Sequence, residues 1–402
     1  MKLELPPVPA SFPDFGVLPR MDEFNQIRPY QDDEIRPVVD GLLTNQEFIR
    51  SIARYYYPRL SRYLLPLLEI LARKRLGSQL QTVVDVATMQ DLIAEYMDKM
   101  IRDTTSGLTH SGLDRLSKDR PYLFISNHRD IAMDPAFVNY VLHQESMDTC
   151  QIAIGDNLLK KPFVADLMRL NKSFIVHRSL KGRELLKALD LLSRYIHHCI
   201  DNQHNVWIAQ REGRAKNGID ETEPALIKML AMGQRKVPLR ESLSRLHLVP
   251  VAISYQFDAC DKLKAQELYQ LETTGKFEKT DQSDIHSIVT GIIGQKGKVH
   301  LGFGEELTID TDDPDAVAAT IDAQILANYR LQDTNFLALR LLKESSLVTL
   351  PTLADTAWNA EIDPAVETCF HNRLAAVDSS LHRHFLQMYA NPVIRRFRIG
   401  QG

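Results

Sequence analysis

Hydrophobic positions follow three different rhythms along the 402-residue chain. Up to about residue 35 there is no period and proline recurs, so this stretch reads as irregular, with Phe12, Phe15 and Phe24 as candidate anchors. From about 45 to 103 apolar residues return at intervals of three and four, as in Ile49, Ile52 and Tyr56, or Leu80, Val84 and Ala87. That spacing predicts amphipathic helices. Between 106 and 308 the rhythm changes to short apolar runs separated by helical stretches. The runs at 122–126, 150–154, 173–177, 206–210, 248–255 and 298–303 predict strands. The stretch 180–200, with Leu185, Leu189, Leu192 and Ile196 four, three and four apart, predicts a helix between two of them. Asp313-Pro314 is a good helix start, after which the chain reads as helices to its end, with a break at Pro351. Strands alternating with helices put the middle of the chain in the α/β class: a mixed, largely parallel sheet flanked by helices, with helical additions on its N- and C-terminal sides. The predicted division is 1–105 (extension and helices), 106–310 (α/β domain) and 311–402 (helices).

Composition narrows the class without naming a chemistry. Apolar residues at 44% and charged ones at 25% are ordinary for a soluble globular protein. A net charge of −4 exerts no global pull on nucleic acid, and no nucleic-acid partner is expected. Cys150, Cys199, Cys260 and Cys369 are scattered, with no C-x-x-C pair, which predicts reduced, buried thiols in a cytoplasmic protein. The first twenty residues lack the continuous apolar core of a signal peptide, and no run reaches the ~18 apolar residues of a spanning helix. One local imbalance changes the picture. Arg50, Arg54, Arg59, Arg62, Arg73, Lys74 and Arg75 face Glu69 alone, interleaved with Tyr55, Tyr56, Tyr57 and Tyr63. Basic residues among tyrosines on a helix suit the surface of an anionic membrane, and equally a solvated face packed on the main domain. With the absence of a span, this predicts a cytoplasmic protein peripherally associated with the inner face of the cell membrane.

The candidate chemistry starts at "ISNHRDIAMDP", residues 125 to 135, where His128 has Asp130 and Asp134 as neighbours. His-Arg-Asp suggests a kinase catalytic loop, but that loop needs Asn five residues after the Asp, and position 135 is Pro135. A glycine-rich loop upstream and Asp-Phe-Gly downstream are also missing, which excludes the kinase reading. A nucleophile elbow, a Walker loop and a dinucleotide fingerprint are absent too. His197, His198 and Cys199 are consecutive on a predicted helix, so they diverge rather than converge on a metal. No metal site is expected.

The set of strand ends, in order, is more specific. "SNHRDIAMDPAF" follows the first run, "FIVHRS" ends the third, "WIAQREGRAKNG" ends the fourth, "VPVAISY" is the fifth, and "GFGEEL" closes the last. This series resembles the glycerolipid acyltransferases, which act on glycerol 3-phosphate and 1-acylglycerol 3-phosphate. Their His-x4-Asp, apolar-Arg, Glu-Gly and apolar-Pro motifs run in the same order. The likeness covers roughly residues 108 to 305. It implies His128 as catalytic base with Asp134 as its partner, and Arg178, Glu212, Gly213 and Arg214 at the phosphate of the acceptor, with Arg211 and Lys216 adding positive charge. It implies transfer of a fatty acyl group from acyl-CoA or acyl carrier protein to a hydroxyl of 1-acylglycerol 3-phosphate as the leading acceptor, with glycerol 3-phosphate close behind, in phospholipid synthesis and with no metal or redox cofactor. Five residues rather than four separate His128 from Asp134, a departure that leaves helix capping as the alternative role for Asp134-Pro135. Two other functions fit the same fold: a non-catalytic lipid- or acyl-carrier-binding protein, and a thioester hydrolase in which water replaces the acceptor.

Overall fold

A computed structural model describes residues 23–277 and 281–399. Phe12 and Phe15 lie outside the described residues, whereas Phe24 is buried with its ring 5.2 Å from that of Tyr195. Among the described residues four helices precede the sheet: α1 (Asp32–Thr44), α2 (Gln46–Tyr56), α3 (Ser61–Gln79) and α4 (Val86–Thr104). The sequence reading misses α1, although Ile35, Val39 and Leu42 recur at helical spacing and are buried, and Pro37 lies inside the helix. Helix α3 kinks at Leu64, two residues before Pro66, which has no N–H to donate into the preceding turn. These helices pack around Ile35, Val39, Ile49, Leu68 and Leu76.

The sheet has seven strands: β1 (Thr105–Ser111), β2 (Leu123–Ser126), β3 (Gln151–Gly155), β4 (Ser173–Val176), β5 (Val206–Ala209), β6 (Leu248–Tyr255) and β7 (Gly297–Phe303). Their spatial order is β1-β7-β6-β2-β5-β3-β4. Every pairing is parallel except that of β6 with β7. Strand β1 is the one the sequence pattern does not predict. It carries Leu108 as its single large apolar residue and lies at the sheet edge with mostly exposed side chains, so no alternation marks it. Strand β6 is the opposite case, buried along its whole length, and its continuous apolar run is what a strand covered on both faces requires. Pro250 sits inside this interior strand, in register with Ile125, rather than at an edge.

Side chains alternate between two cores. Leu123 and Ile125 of β2 face one core with Val206 and Ile208; Phe124 faces the other with Trp207, Val249, Val251 and Ile253. The first core is closed by helices α7 (Gly182–Asp201), α8 (Pro224–Ala231) and α12 (Pro314–Asn328), the second by α4 and α5 (Met133–Gln144). Shorter helices α6 (Pro162–Leu170) and α9 (Leu239–Ser244) fill the connections, and α10 (Asp261–Thr274) and α11 (Asp281–Ile293) join β6 to β7. The chain ends in α13 (Asp333–Ser345), α14 (Pro364–Ala375) and α15 (His382–Phe397), packed about Phe370, Phe385 and Tyr389. Cys150, Cys199 and Cys260 are buried free thiols, but Cys369, on α14, is exposed.

Candidate active site

In a parallel α/β sheet the strand ends that carry loops into helix N-termini converge on one edge, and here β2 lies in the middle of that edge between β5 and β6. His128 follows β2 by two residues. Its ring stands edge-on to Trp207 at 5.8 Å and remains partly accessible. Imidazole Nδ1 lies 2.8 Å from Asp134 Oδ2. An ionised carboxylate only accepts, so this contact puts the ring proton on Nδ1 and leaves Nε2 with its lone pair.

Asp134 is fully enclosed and is not the N-cap. Helix α5 begins at Met133, preceded by Ala132 without a side-chain cap. The carboxylate instead closes the loop around itself: Oδ2 also accepts from the amides of Arg129 (2.6 Å) and Asp130 (2.9 Å), and Oδ1 accepts from the Tyr255 hydroxyl (2.6 Å). The extra residue between His128 and Asp134 is absorbed in this wrap. Capping falls to Asp130, whose Oδ1 accepts from Ala132 and Met133 at 3.0 and 2.9 Å. Burial, and then the Asp134 charge, push the Asp130 carboxyl above the usual range. Burial and the same carboxylates hold the Tyr255 phenol well above its ordinary value.

The loop is anchored from several sides. Asn127 exchanges hydrogen bonds with the backbone of Ile253 at 2.7 and 3.0 Å. The buried Arg129 guanidinium reaches Asp220 Oδ2 at 2.7 Å and lies over the Tyr329 ring, and the Ala215 amide donates to His128 O at 3.0 Å. Lys264 of α10, itself buried, donates to Arg129 O at 2.7 Å and pairs with Asp258. The sequence singles out neither Lys264 nor Tyr255. Tyr255 continues the alternation of Val249, Val251 and Ile253, which assigns its face of β6 but not its partner; no sequence signal marks Lys264.

The remaining candidate residues lie at neighbouring strand ends. Arg178 follows β4 and Glu212 follows β5, 3.8 Å apart across the β3 end. The Arg178 amide donates to Asp156 Oδ1 at 3.1 Å. Gly213 has φ +72 with open space where a Cβ would point, so glycine serves the left-handed backbone there rather than a close approach. Arg214 acts on Asp130 electrostatically, and its Nη1 is buried without a hydrogen-bond partner among the described residues. The two other cations are committed to carboxylates: Lys216 to Glu267 at 2.6 Å and Arg211 to Glu223 at 3.9 Å. His197 and His198 part company, the first toward Leu230 O and the second stacked on Tyr195.

Residues 107–254, which carry all of these strand ends except the last, match the family model described as Acyltransferase. This segment belongs to the acyltransferase family. Curated relatives of the acyltransferase domain include glycerol-3-phosphate acyltransferases of Xanthomonas axonopodis pv. citri, 24% identical over 55% of this chain and 25% of that protein, and of Pseudomonas paraeruginosa, 25% identical over 54% and 25%. The Pseudomonas syringae pv. syringae protein of the same name is 24% identical over 68% of this chain and 31% of its own. The chain thus matches about a quarter to a third of the length of these relatives. A solved 1-acyl-sn-glycerophosphate acyltransferase from Thermotoga maritima aligns over 76% of this chain and 97% of its own, at 12% identity and a TM-score of 0.36.

Proposed function

We propose that the protein transfers a fatty acyl group from the thioester of acyl-CoA or acyl carrier protein to a hydroxyl of a glycerol phosphate lipid precursor. The observation that carries this reading is the His128–Asp134 contact of 2.8 Å at the end of the central strand of an acyltransferase-family domain. His128 Nε2 takes the proton of the acceptor hydroxyl as its oxygen attacks the thioester carbonyl carbon. Asp134 stabilises the imidazolium that forms. The C–S bond then breaks, and His128 returns the proton to the leaving thiolate. Arg178 and Arg214 bind the acceptor phosphate, the buried unpaired Nη1 of Arg214 supplying a donor for it. Glu212 steadies Arg178, and Gly213 permits the turn after β5 that carries Glu212 and Arg214. Of the two acceptors, the name shared by the curated relatives favours glycerol 3-phosphate over 1-acylglycerol 3-phosphate.

The membrane is the partner that α3 suits. Tyr63, Leu64, Leu67, Ile70 and Leu71 recur on one face of this helix with large exposures, 84% for Tyr63 and 64% for Ile70. Arg50 is spent on Glu69 at 2.9 Å, but Arg54, Arg59, Arg62, Arg73, Lys74 and Arg75 are exposed around the apolar stripe. An exposed apolar stripe rimmed by cations lies in an anionic interface, its side chains among the acyl chains and its charges at the headgroups. No described helix is long and apolar enough to cross a membrane.

The test is a panel of acceptors with labelled acyl-CoA and acyl carrier protein, read as labelled product and released thiol. Thiol release that requires glycerol 3-phosphate or 1-acylglycerol 3-phosphate supports transfer. Release without any acceptor points to hydrolysis, and no release with any donor overturns catalysis in favour of binding.

A further inference from the structure

We propose that Tyr255 is a positioning residue for the His128–Asp134 pair, its hydroxyl fixing the plane and the charge distribution of the carboxylate that supports the imidazole. The proposal rests on the reading of His128 as general base. It starts from the division of labour at Asp134. Three donors share Oδ2: His128 Nδ1 and the amides of Arg129 and Asp130. Among the described residues, the Tyr255 hydroxyl, at 2.6 Å, is the one hydrogen-bond donor to Oδ1. Tyr255 comes from β6, next to β2 in the sheet, and its ring packs 6.0 Å from Phe137 of α5. The hydroxyl therefore bridges the strand beside His128 to the helix that carries Asp134.

A neutral donor at this place does something a packing group cannot. The other ionisable groups around the pair are Arg129 and Asp130 in its own loop, Arg214 and Asp220 after β5, Asp258 and Cys260 after β6, Lys264 of α10 and Lys296 before β7. Arg214 and Lys296 act on Asp130, and Lys264 is bound to Arg129 O and Asp258. None of them donates to Oδ1. The phenol, held well above its ordinary value by burial and by the two carboxylates, stays protonated across the working range. It draws negative charge toward Oδ1, away from His128, and so lowers the proton affinity of the pair as a whole. Removing it should make the pair easier to protonate, whichever member takes the proton.

Tyr255→Phe tests this with two readouts. In the pH profile of kcat/KM the acid limb should move up by about one unit, the worth of one hydrogen bond to a charged group, with activity recovering at higher pH. The titration midpoint of the His128 ring signals, followed by NMR, should move the same way without any turnover being measured. Replacing Tyr255 with 3-fluorotyrosine, a stronger donor of nearly the same shape, should move both midpoints down, and it carries the test if Tyr255→Phe does not fold. A lower melting temperature with both midpoints unmoved means that Tyr255 only packs, and the proposal falls. If the wild-type protein transfers no acyl group to any acceptor, the functional reading fails, while the NMR midpoints still decide the role of Tyr255.

Discussion

Replacing Asp134 by Asn removes one charge while leaving the loop its hydrogen bonds. With the amide oxygen in the place of Oδ2, the Arg129 and Asp130 amides keep their acceptor, and the amide nitrogen can donate to the Tyr255 hydroxyl oxygen. The side chain is fully buried, so loss of its charge-assisted bonds is offset by loss of a buried charge, and the melting temperature should change little. Catalysis should not survive as well. The carboxylate stands 2.8 Å from Nδ1, and at an effective dielectric of ~20 its attraction for an imidazolium is at most about 6 kcal/mol, equivalent to roughly 10⁴-fold in rate. The amide dipole retains part of this, which puts the expected fall in kcat at roughly 10²- to 10⁴-fold. Turning the amide round does not help, because its N–H would then force the ring proton onto Nε2, the atom that has to accept. Asp130→Asn is the control. Its carboxyl is already pushed toward the neutral form, and an amide oxygen can take the Ala132 and Met133 amides, so activity should stay within about tenfold. The assay is thiol release from acyl-CoA with the preferred acceptor, alongside a thermal melt of each variant. An Asp134→Asn enzyme within tenfold of wild type at an unchanged melting temperature would refute the reasoning.

His128→Ala should lose roughly 10²- to 10⁴-fold in kcat while keeping the fold, because the ring is partly accessible and packs chiefly against Trp207; steady-state rates and a melt check both halves. Arg178→Ala and Arg214→Ala should raise the KM for the phosphorylated acceptor more than they lower kcat, and an unchanged KM in both variants contradicts the phosphate site. Vesicle flotation should recover more protein with anionic than with neutral lipid, and less at high salt. Each cation near the surface adds roughly 1 kcal/mol at low ionic strength, and Leu67→Asp with Ile70→Asp should abolish recovery; equal recovery under all conditions removes α3 as the contact.

What could be read from the sequence follows from what each segment has to bury. Strands β2, β3, β5, β6 and β7 are legible to within a residue or so at each end because interior strands carry unbroken apolar runs, as Leu248–Tyr255 does, and β4, at the other sheet edge, is legible because Phe174, Ile175 and Val176 pack on the first core. β1 is illegible because an exposed edge strand needs no such run; α1 does carry a helical period in Ile35, Val39 and Leu42, and Pro37 among them is the residue that argues against a helix. His128 is legible from its setting between a strand and a helix. Asp134, the partner the resemblance implies, stands against the imidazole at 2.8 Å, and its alternative role as cap falls to Asp130, which accepts from the Ala132 and Met133 amides. Lys216 and Arg211 show the limit most plainly. Their charges read as free for a ligand, whereas Glu267 and Glu223, distant in sequence or across a turn, already hold them.

The Lys264 ammonium that grips Arg129 O ties the fate of the loop to elements far along the chain. Lys264 pairs with Asp258, the Arg373 side chain donates to Asp258 O and pairs with Asp261, and the Tyr389 hydroxyl donates to Asp261 and accepts from the Asp258 amide. The loop around His128 is thereby wired to α14 and α15. In terms of local unfolding, these contacts predict that the loop and the last two helices open together rather than as a rigid domain with a loose appendage, which hydrogen exchange would read. A fluctuation that detaches α15 takes the Tyr389 hydroxyl away from both Asp261 and the Asp258 amide, and so loosens the turn whose Asp258 carboxylate holds Lys264 against Arg129 O.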